Sequence, residues 1–319
     1  MGFEELKRAG IPLLYLPVSS LKSGSVLSAA IRLWRDIRKH SIRLIHAYDT
    51  TAVFVVPITK ALRVPAVLSS TLGYRELLDP RTRRQARLTE RFVDAVVNGE
   101  AMRRYIIEDG HISNEQIDLY YKGVDTTQFH PERSVLNRAL RGAVCVLRPE
   151  KALDLLQEAF ASARLLRPGM ELLLVGGRPE LPRLVANAER LGPQNDCKFV
   201  PATSLVANFL CALDIFVLPS RSEAFSNALL EAMACGCCVI GSRARGASEL
   251  IAKEGNRLHF QPGDPDDLVK KLTAFIQESL RRAFGARATE FARTNFSIEI
   301  TARRMASIYE SILRLKAIL

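Results

Sequence analysis

No stretch of the chain approaches the roughly 20 uninterrupted apolar residues that span a bilayer as a helix, so no membrane-spanning helix is expected in these 319 residues. The first residues, Met1 to Lys7, include Glu4 and Glu5 and no apolar core. They resemble neither a secretory signal nor a transit peptide, and a cytoplasmic location is expected. Aromatics make up only 7%, and 18 Gly and 15 Pro are too few for collagen-like or low-complexity chains. Six cysteines in a chain of this length and class predict reduced, mostly buried thiols, because a cytosolic protein does not depend on a disulfide framework. The tight Cys235-Gly236-Cys237-Cys238 run has no second cluster to complete four metal ligands, and the five histidines are scattered. No G-x-G-x-x-G follows a predicted strand, and no phosphate loop ending in Lys-Ser/Thr occurs, which argues against a dinucleotide oxidoreductase and a P-loop enzyme.

What is present is length, charge and alternation. The chain is about twice an ordinary domain, so two domains are expected. Its net charge of +11 suits an anionic partner, yet the excess is spread over both halves. Two stretches concentrate it: Arg32-Leu33-Trp34-Arg35-Asp36-Ile37-Arg38-Lys39 and Arg81-Thr82-Arg83-Arg84-Gln85-Ala86-Arg87. A solvated helix face is the preferred reading of each, with contact to anionic lipid as the alternative. No zinc-finger, homeodomain or aromatic RNA-binding motif accompanies them, so no nucleic-acid partner is expected.

Short β-branched runs alternate with amphipathic stretches, the pattern of parallel sheets flanked by helices. The strands are predicted at 13–18, 42–46, 66–69, 94–97 and 117–121, then at 143–147, 171–175, 198–200, 214–218, 238–241 and 257–260. Helices are predicted at 4–9, 26–40, 51–62, 100–108, 227–234 and 298–315. The alternation restarts after residue 140, and the polar run His130 to Ser134 is the natural linker.

The most informative segment is FVLPSRSEAFSNALLEAMACGCCVIGSRARGASEL, residues 216–250. It reads as a strand ending at Leu218, a loop holding Glu223, and a helix from about Asn227 capped by Ser226 or Asn227 and closed by Gly236. The free amides of its first turn, aided by the helix dipole, form an anion site. Glu231 follows Glu223 by eight positions, about 12 Å if both lie along one helical axis. Two carboxylates with an anion site between them match a nucleotide sugar, whose hydroxyls they can accept from. The bland alternative is a pair of solvated surface glutamates.

This segment resembles glycosyltransferase family 4, whose members carry two Glu separated by seven residues and an Ala-Met-Ala-Cys-Gly helix end. The resemblance extends to Leu147-Arg148-Pro149-Glu150-Lys151, Leu173-Leu174-Val175-Gly176-Gly177, Gly123-Val124-Asp125, Phe129-His130-Pro131 and Pro262-Gly263-Asp264. It implies an α/β, GT-B fold: two Rossmann-like doubly wound domains facing a cleft, the first without its opening strand and Gly-rich loop. Residues 1–131 would form a truncated acceptor domain, with the C-terminal helix 298–319 packing back on it, and 132–297 the nucleotide-sugar domain.

The implied activity is a metal-independent, retaining transfer of sugar from a UDP- or GDP-sugar donor, with no cofactor. The acceptor would be a saccharide or glycolipid, in polysaccharide assembly at or near the inner membrane face. The alternative is a relative that binds nucleotide or nucleotide sugar without transferring it.

The resemblance also implies the site residues. Lys151 would lie at the diphosphate, Glu223 at the sugar and Glu231 at the ribose. The amides of Phe225, Ser226 and Asn227 would cradle phosphate, while Gly176, Gly177, Val200 and Pro201 border the base. The family's Arg five residues before the Lys reads Val146 here, and Arg148, two residues on, can face the same way in an extended strand. The family's Gly-Gly reads Arg245-Gly246. On the acceptor side, His46, Asp49 and Thr71 are the candidates, with a satisfied core histidine as the alternative for His46. Asp264-Pro265-Asp266 reads as a helix cap rather than a metal motif.

Overall fold

The computed structural model describes residues 3–18, 24–74, 79–110, 112–131, 140–144, 147–177, 179–192, 196–251 and 258–318. The first group of elements is α1 (Phe3–Arg8), α2 (Ser25–Lys39), β1 (Leu44–Tyr48), α3 (Thr51–Ala61), β2 (Ala66–Thr71), α4 (Pro80–Glu90), β3 (Asp94–Asn98), α5 (Glu100–Gly110) and β4 (Ile117–Tyr120). Its strands form a parallel sheet in the order β1-β2-β3-β4. β2, Ala-Val-Leu-Ser-Ser-Thr, is buried along its whole length, as expected for a strand covered on both faces. One face packs Val67 and Ala47 against Ile37 of α2 and Ala52 and Val56 of α3.

The second group is β5 (Leu140–Val144), α6 (Leu153–Leu166), β6 (Glu171–Val175), α7 (Leu181–Leu191), β7 (Cys197–Val200), α8 (Val206–Cys211), β8 (Ile215–Leu218), α9 (Asn227–Ala234), β9 (Cys238–Ser242), α10 (Arg245–Ile251), β10 (His259–Phe260), α11 (Pro265–Ala274) and α12 (Glu278–Phe296). Its six parallel strands run β10-β9-β8-β5-β6-β7. The chain winds outward from β5 through β6 to β7, then returns to place β8 on the other side of β5. The order therefore reverses between β5 and β8, and loops leaving the carboxyl ends of these two strands flank a crevice.

The last helix, α13 (Ile298–Ile318), returns to the first sheet, where Ile308 and Ile312 pack with Ala66, Leu68, Val96 and Tyr120. The chain crosses between the two sheets twice, and the crossings are stitched together. Val124 N donates to Phe296 O at 2.8 Å, and Ile298 N donates to Val124 O at 3.0 Å. A Cβ on Gly123 would lie 2.7 Å from the Ile298 Cα, so this close backbone approach requires glycine.

Most predicted elements appear within a few residues of their expected places, with three differences. Residues 13–18 form no strand: β1 is the edge of the first sheet, and an extended segment without a ladder partner is not a strand. Among the described residues the strand expected at 143–147 is Leu140–Val144 and that expected at 257–260 is His259–Phe260, with 145, 146 and 257 outside them. The basic run 81–87 lies inside α4, whose Asp79 cap accepts from the amides of Arg81 and Thr82. Two of its cations are not free: Arg83 and Arg87 both bind Asp109 of α5. Asp264 caps α11 by accepting from Asp267 N at 2.9 Å, as the helix-cap reading requires. Val146, His111 and most of the proposed linker, at 132–134, lie outside the described residues.

Candidate functional site

Two loops meet at the reversal of the second sheet. The loop after β5 carries Lys151, and the loop after β8 carries Glu223, 72 residues later. Lys151 Nζ donates to Glu223 Oε1 at 2.5 Å. Ser220 Oγ donates to the same oxygen at 2.8 Å. The two loops are also joined through their backbones, where Arg221 N donates to Glu150 O at 2.9 Å. Ala152, just after Lys151, holds φ at 48°, a left-handed conformation that a Cβ disfavours and that recurs where a loop serves a site.

Glu223 is not on the following helix. It lies four residues before α9 begins, so helical rise does not measure its separation from Glu231, and the estimate of about 12 Å between them does not apply. Ser226 is the actual cap, its Oγ accepting from Leu229 N at 3.3 Å, and Gly236 ends the helix with φ at 81°. Among the described residues the amides of Phe225, Ser226 and Asn227 find no hydrogen-bond acceptor. Three donors at the positive end of a helix are thereby left available to an anion. Asn227 is exposed, whereas Ser226 and Phe225 are buried. Glu231 sits half-buried inside α9, and burial pushes its carboxyl above the usual carboxylate range.

Gly176 and Gly177 follow β6, while Val200 ends β7 and Pro201 follows it, all on the same carboxyl edge of the sheet. Gly176 N donates to Val200 O at 2.9 Å, and Leu147 N donates to Gly177 O at 3.1 Å, which draws this border toward the Lys151 loop. Arg148 behaves differently. It is exposed, its guanidinium is 3.8 Å from Glu150, and it lines a small hollow with Asp154, Glu180 and Arg183. No contact among the described residues brings it to Glu223. Gly246 makes the close approach that a glycine pair implies: its N donates to Glu223 O at 2.8 Å, and a Cβ there would lie 2.1 Å from Ala224 O. The side chain of Arg245 lies outside the described residues.

The first lobe reaches this loop. Tyr74 Oη donates to Glu223 O at 3.0 Å, and Ala224 packs in a cluster with Tyr74, Met102 and Tyr105. Glu249 of α10 accepts from Glu100 N at 2.8 Å and also from Ala101 N, capping α5 across the seam between the lobes. Sequence reasoning missed Tyr74, Ser220 and Glu249. Ser220 carried a signal, standing at the end of β8 three residues before Glu223; nothing local marked the other two.

The acceptor-side candidates are engaged within the first lobe. His46 Nδ1 pairs with Tyr309 Oη and Nε2 with Ser70 Oγ, each at 2.7 Å. Burial pushes its imidazole down to about 4, so it is neutral near pH 7. Thr71 is buried and donates to Glu90 at 2.8 Å, while the exposed Asp49 accepts from Leu72 N at 2.7 Å. No group of three or more His, Cys, Asp or Glu among the described residues could hold a metal. Burial pushes the Cys197 thiol up to about 11, and Cys237 is likewise raised.

Residues 124–291 match the family model described as glycosyl transferases group 1. The chain is 28% identical over 229 residues to a D-inositol 3-phosphate glycosyltransferase of Segniliparus rotundus, covering 65% of this chain and 51% of that protein. It is 31% identical over 212 residues to the lipopolysaccharide core biosynthesis mannosyltransferase LpsB of Rhizobium meliloti, covering 60% of each. The chain thus spans about half to three fifths of the length of these curated relatives. Among solved structures, Anabaena Alr3699/HepE in complex with UDP and glucose aligns with a TM-score of 0.84 at 22% identity, covering 97% of this chain and 88% of that one. A glycosyltransferase from Rickettsia africae aligns with a TM-score of 0.81 at 18% identity, covering 97% and 87%. At these identities the likenesses concern the fold, which is GT-B.

Proposed function

Because the chain belongs to the glycosyl transferases group 1, we propose that it moves a sugar from a nucleotide diphosphate sugar to a saccharide or lipid-linked acceptor, with retention at the anomeric carbon and without a metal. The observation that carries this reading is the meeting of Lys151 and Glu223 at the sheet reversal, beside the unpaired amides that open α9. A carboxylate, an ammonium and a helix N-terminus in one crevice suit the two ends of a sugar–diphosphate bond. The amides of Phe225, Ser226 and Asn227 bind phosphate oxygens, and the Lys151 ammonium offsets charge as it grows on the leaving diphosphate. Glu223 accepts from hydroxyls of the transferred sugar, and Glu231 from the ribose. Gly176, Gly177, Val200 and Pro201 border the base, and Arg148 is a weaker donor-side candidate whose side chain would have to swing from Glu150.

We assign 132–297 to the donor and 1–131 with 298–319 to the acceptor, with Asp49 the acceptor-side residue best exposed for contact. His46 and Thr71 support that edge through the bonds they already make. UDP is the donor nucleotide to try first, since the Anabaena structure aligned above holds it, with GDP second. The chain works in the cytoplasm and meets an anionic membrane peripherally. The support is α2, where exposed Leu27, Ile31 and Trp34 stand beside Arg32, Arg35 and Lys39, an apolar strip next to a cationic one. No helix among the described residues is long and apolar enough to cross a membrane.

Calorimetric titration with UDP and GDP tests the donor half without an acceptor. Glu223→Gln should lower transfer and donor hydrolysis by about 100-fold or more while changing nucleotide affinity little. Turnover equal to wild type would remove Glu223 from the reaction.

A further inference from the structure

The two oxygens of Glu223 are not equivalent. Lys151 Nζ and Ser220 Oγ both donate to Oε1, at 2.5 and 2.8 Å. Among the described residues Oε2 receives no hydrogen bond, although Glu223 is only 8% exposed. Ser220 is fully buried, and its own backbone is fixed because Ser242 Oγ, also fully buried, donates to Ser220 O. Ser242 ends β9 and Ser220 follows β8, so neighbouring strands of the sheet hold this serine in place. A carboxylate anchored through one oxygen by a rigid donor has its other oxygen aimed by the same bond.

We infer that Ser220 is the positioning residue for Glu223, holding Oε1 so that Oε2 is the oxygen offered to the transferred sugar. This rests on the assignment of Glu223 to the sugar made above. It also gives Lys151 and Ser220 different parts. An ammonium drawn toward a diphosphate must leave or share Oε1, because its four-carbon stem reaches either group but its charge is most stabilised by the doubly charged one. Ser220 has no such alternative. Its hydroxyl is fully buried, on a short side chain whose backbone Ser242 holds, and it is the anchor that remains when Lys151 turns to the donor. Removing it should leave nucleotide binding intact and loosen the carboxylate at the step where its aim matters.

The test is Ser220→Ala, which deletes one oxygen and adds no bulk. With UDP-glucose or GDP-mannose as donor, kcat for transfer or donor hydrolysis should fall about tenfold, the size expected for one hydrogen bond to a charged group. KM for the donor and Kd for the free nucleotide should stay within about twofold. A variant with wild-type kcat, or one that loses nucleotide affinity in step with kcat, overturns the inference. A second measurement is independent of turnover: a melting cycle of wild type, Ser220→Ala, Lys151→Ala and the double variant at pH 7. If both groups hold Oε1, removing both strands a buried carboxylate, and the double variant should melt about 3 °C below the additive value. Additive melting overturns it. Should wild type bind neither nucleotide nor turn over either donor, the glycosyl-transfer reading fails, and the melting cycle alone still decides whether Ser220 anchors Glu223.

Discussion

The carboxyl edges of the two sheets carry similar polar residues but use them differently. At the reversal of the second sheet, groups are held with capacity to spare: Glu223 is anchored through one oxygen, and three amides open a helix with no acceptor among the described residues. At the corresponding edge of the first sheet the polar groups satisfy one another. His46 spans Tyr309 and Ser70, Thr71 donates to Glu90, and Asp49 accepts from Leu72 N. Buried polar groups are usually satisfied, so the satisfied set suits a supporting role and the incompletely used set suits the ligand-binding role proposed for it. This difference separates candidates that sequence motifs treat alike.

The largest effect is expected at Gly246. Its backbone lies so close to the Glu223 loop that Gly246→Ala must push a Cβ against the carbonyl of Ala224. Overpacking of this kind should cost about 3 kcal/mol in chemical denaturation and displace Glu223 with it. UDP or GDP binding should weaken together with stability; a variant equal to wild type in both would show that the two loops do not depend on each other's spacing.

Acid should distinguish the first edge from the second. An imidazole whose value drops from 6.5 to about 4 on folding binds its proton more readily in the unfolded chain. His46 therefore contributes stability that is full above about pH 6.5 and declines as pH falls through about 4. Melting temperatures measured across that window should fall less steeply for His46→Gln than for wild type. Equal slopes would mean that burial does not hold the imidazole neutral in the folded chain.

The smallest effect is expected at Ala152. A left-handed alanine is strained, and Ala152→Gly relieves the Cβ while adding backbone freedom to the unfolded chain. The net should be a stabilisation of less than about 1 kcal/mol, seen as a slightly higher Tm. A lower Tm would show that the turn after Lys151 gains more from the methyl group than it loses to strain.

Much of this was legible along the chain. The alternation of apolar runs and amphipathic stretches located nearly every strand, because period and β-branching act locally. Gly236 and Asp264 are legible as caps for the same reason, and of Ser226 and Asn227, both open as N-caps in the sequence, the structure uses Ser226. Residues 13–18 misled because an apolar run becomes a strand only beside a partner, and β1 offers none to it. Glu223 falls in the loop and the helix starts at Asn227, as the sequence predicts, but the distance from Glu223 to Glu231 cannot be taken from helical rise when only Glu231 lies on the helix. Tyr74 and Glu249 were invisible because each acts across the seam, on atoms about 149 residues away.

Residue order alone determined the α/β class, the helix ends and the presence of a Glu-bearing loop before a Ser-capped helix, since these depend on neighbours within a few positions. Only the tertiary structure decided that β8 returns to lie against β5. That single pairing brings Lys151 to Glu223 and Ser220 and leaves Arg148 beside Glu150. Strand order is set by how two sheets and their helices bury apolar surface together, a balance over the whole molecule that no local stretch contains.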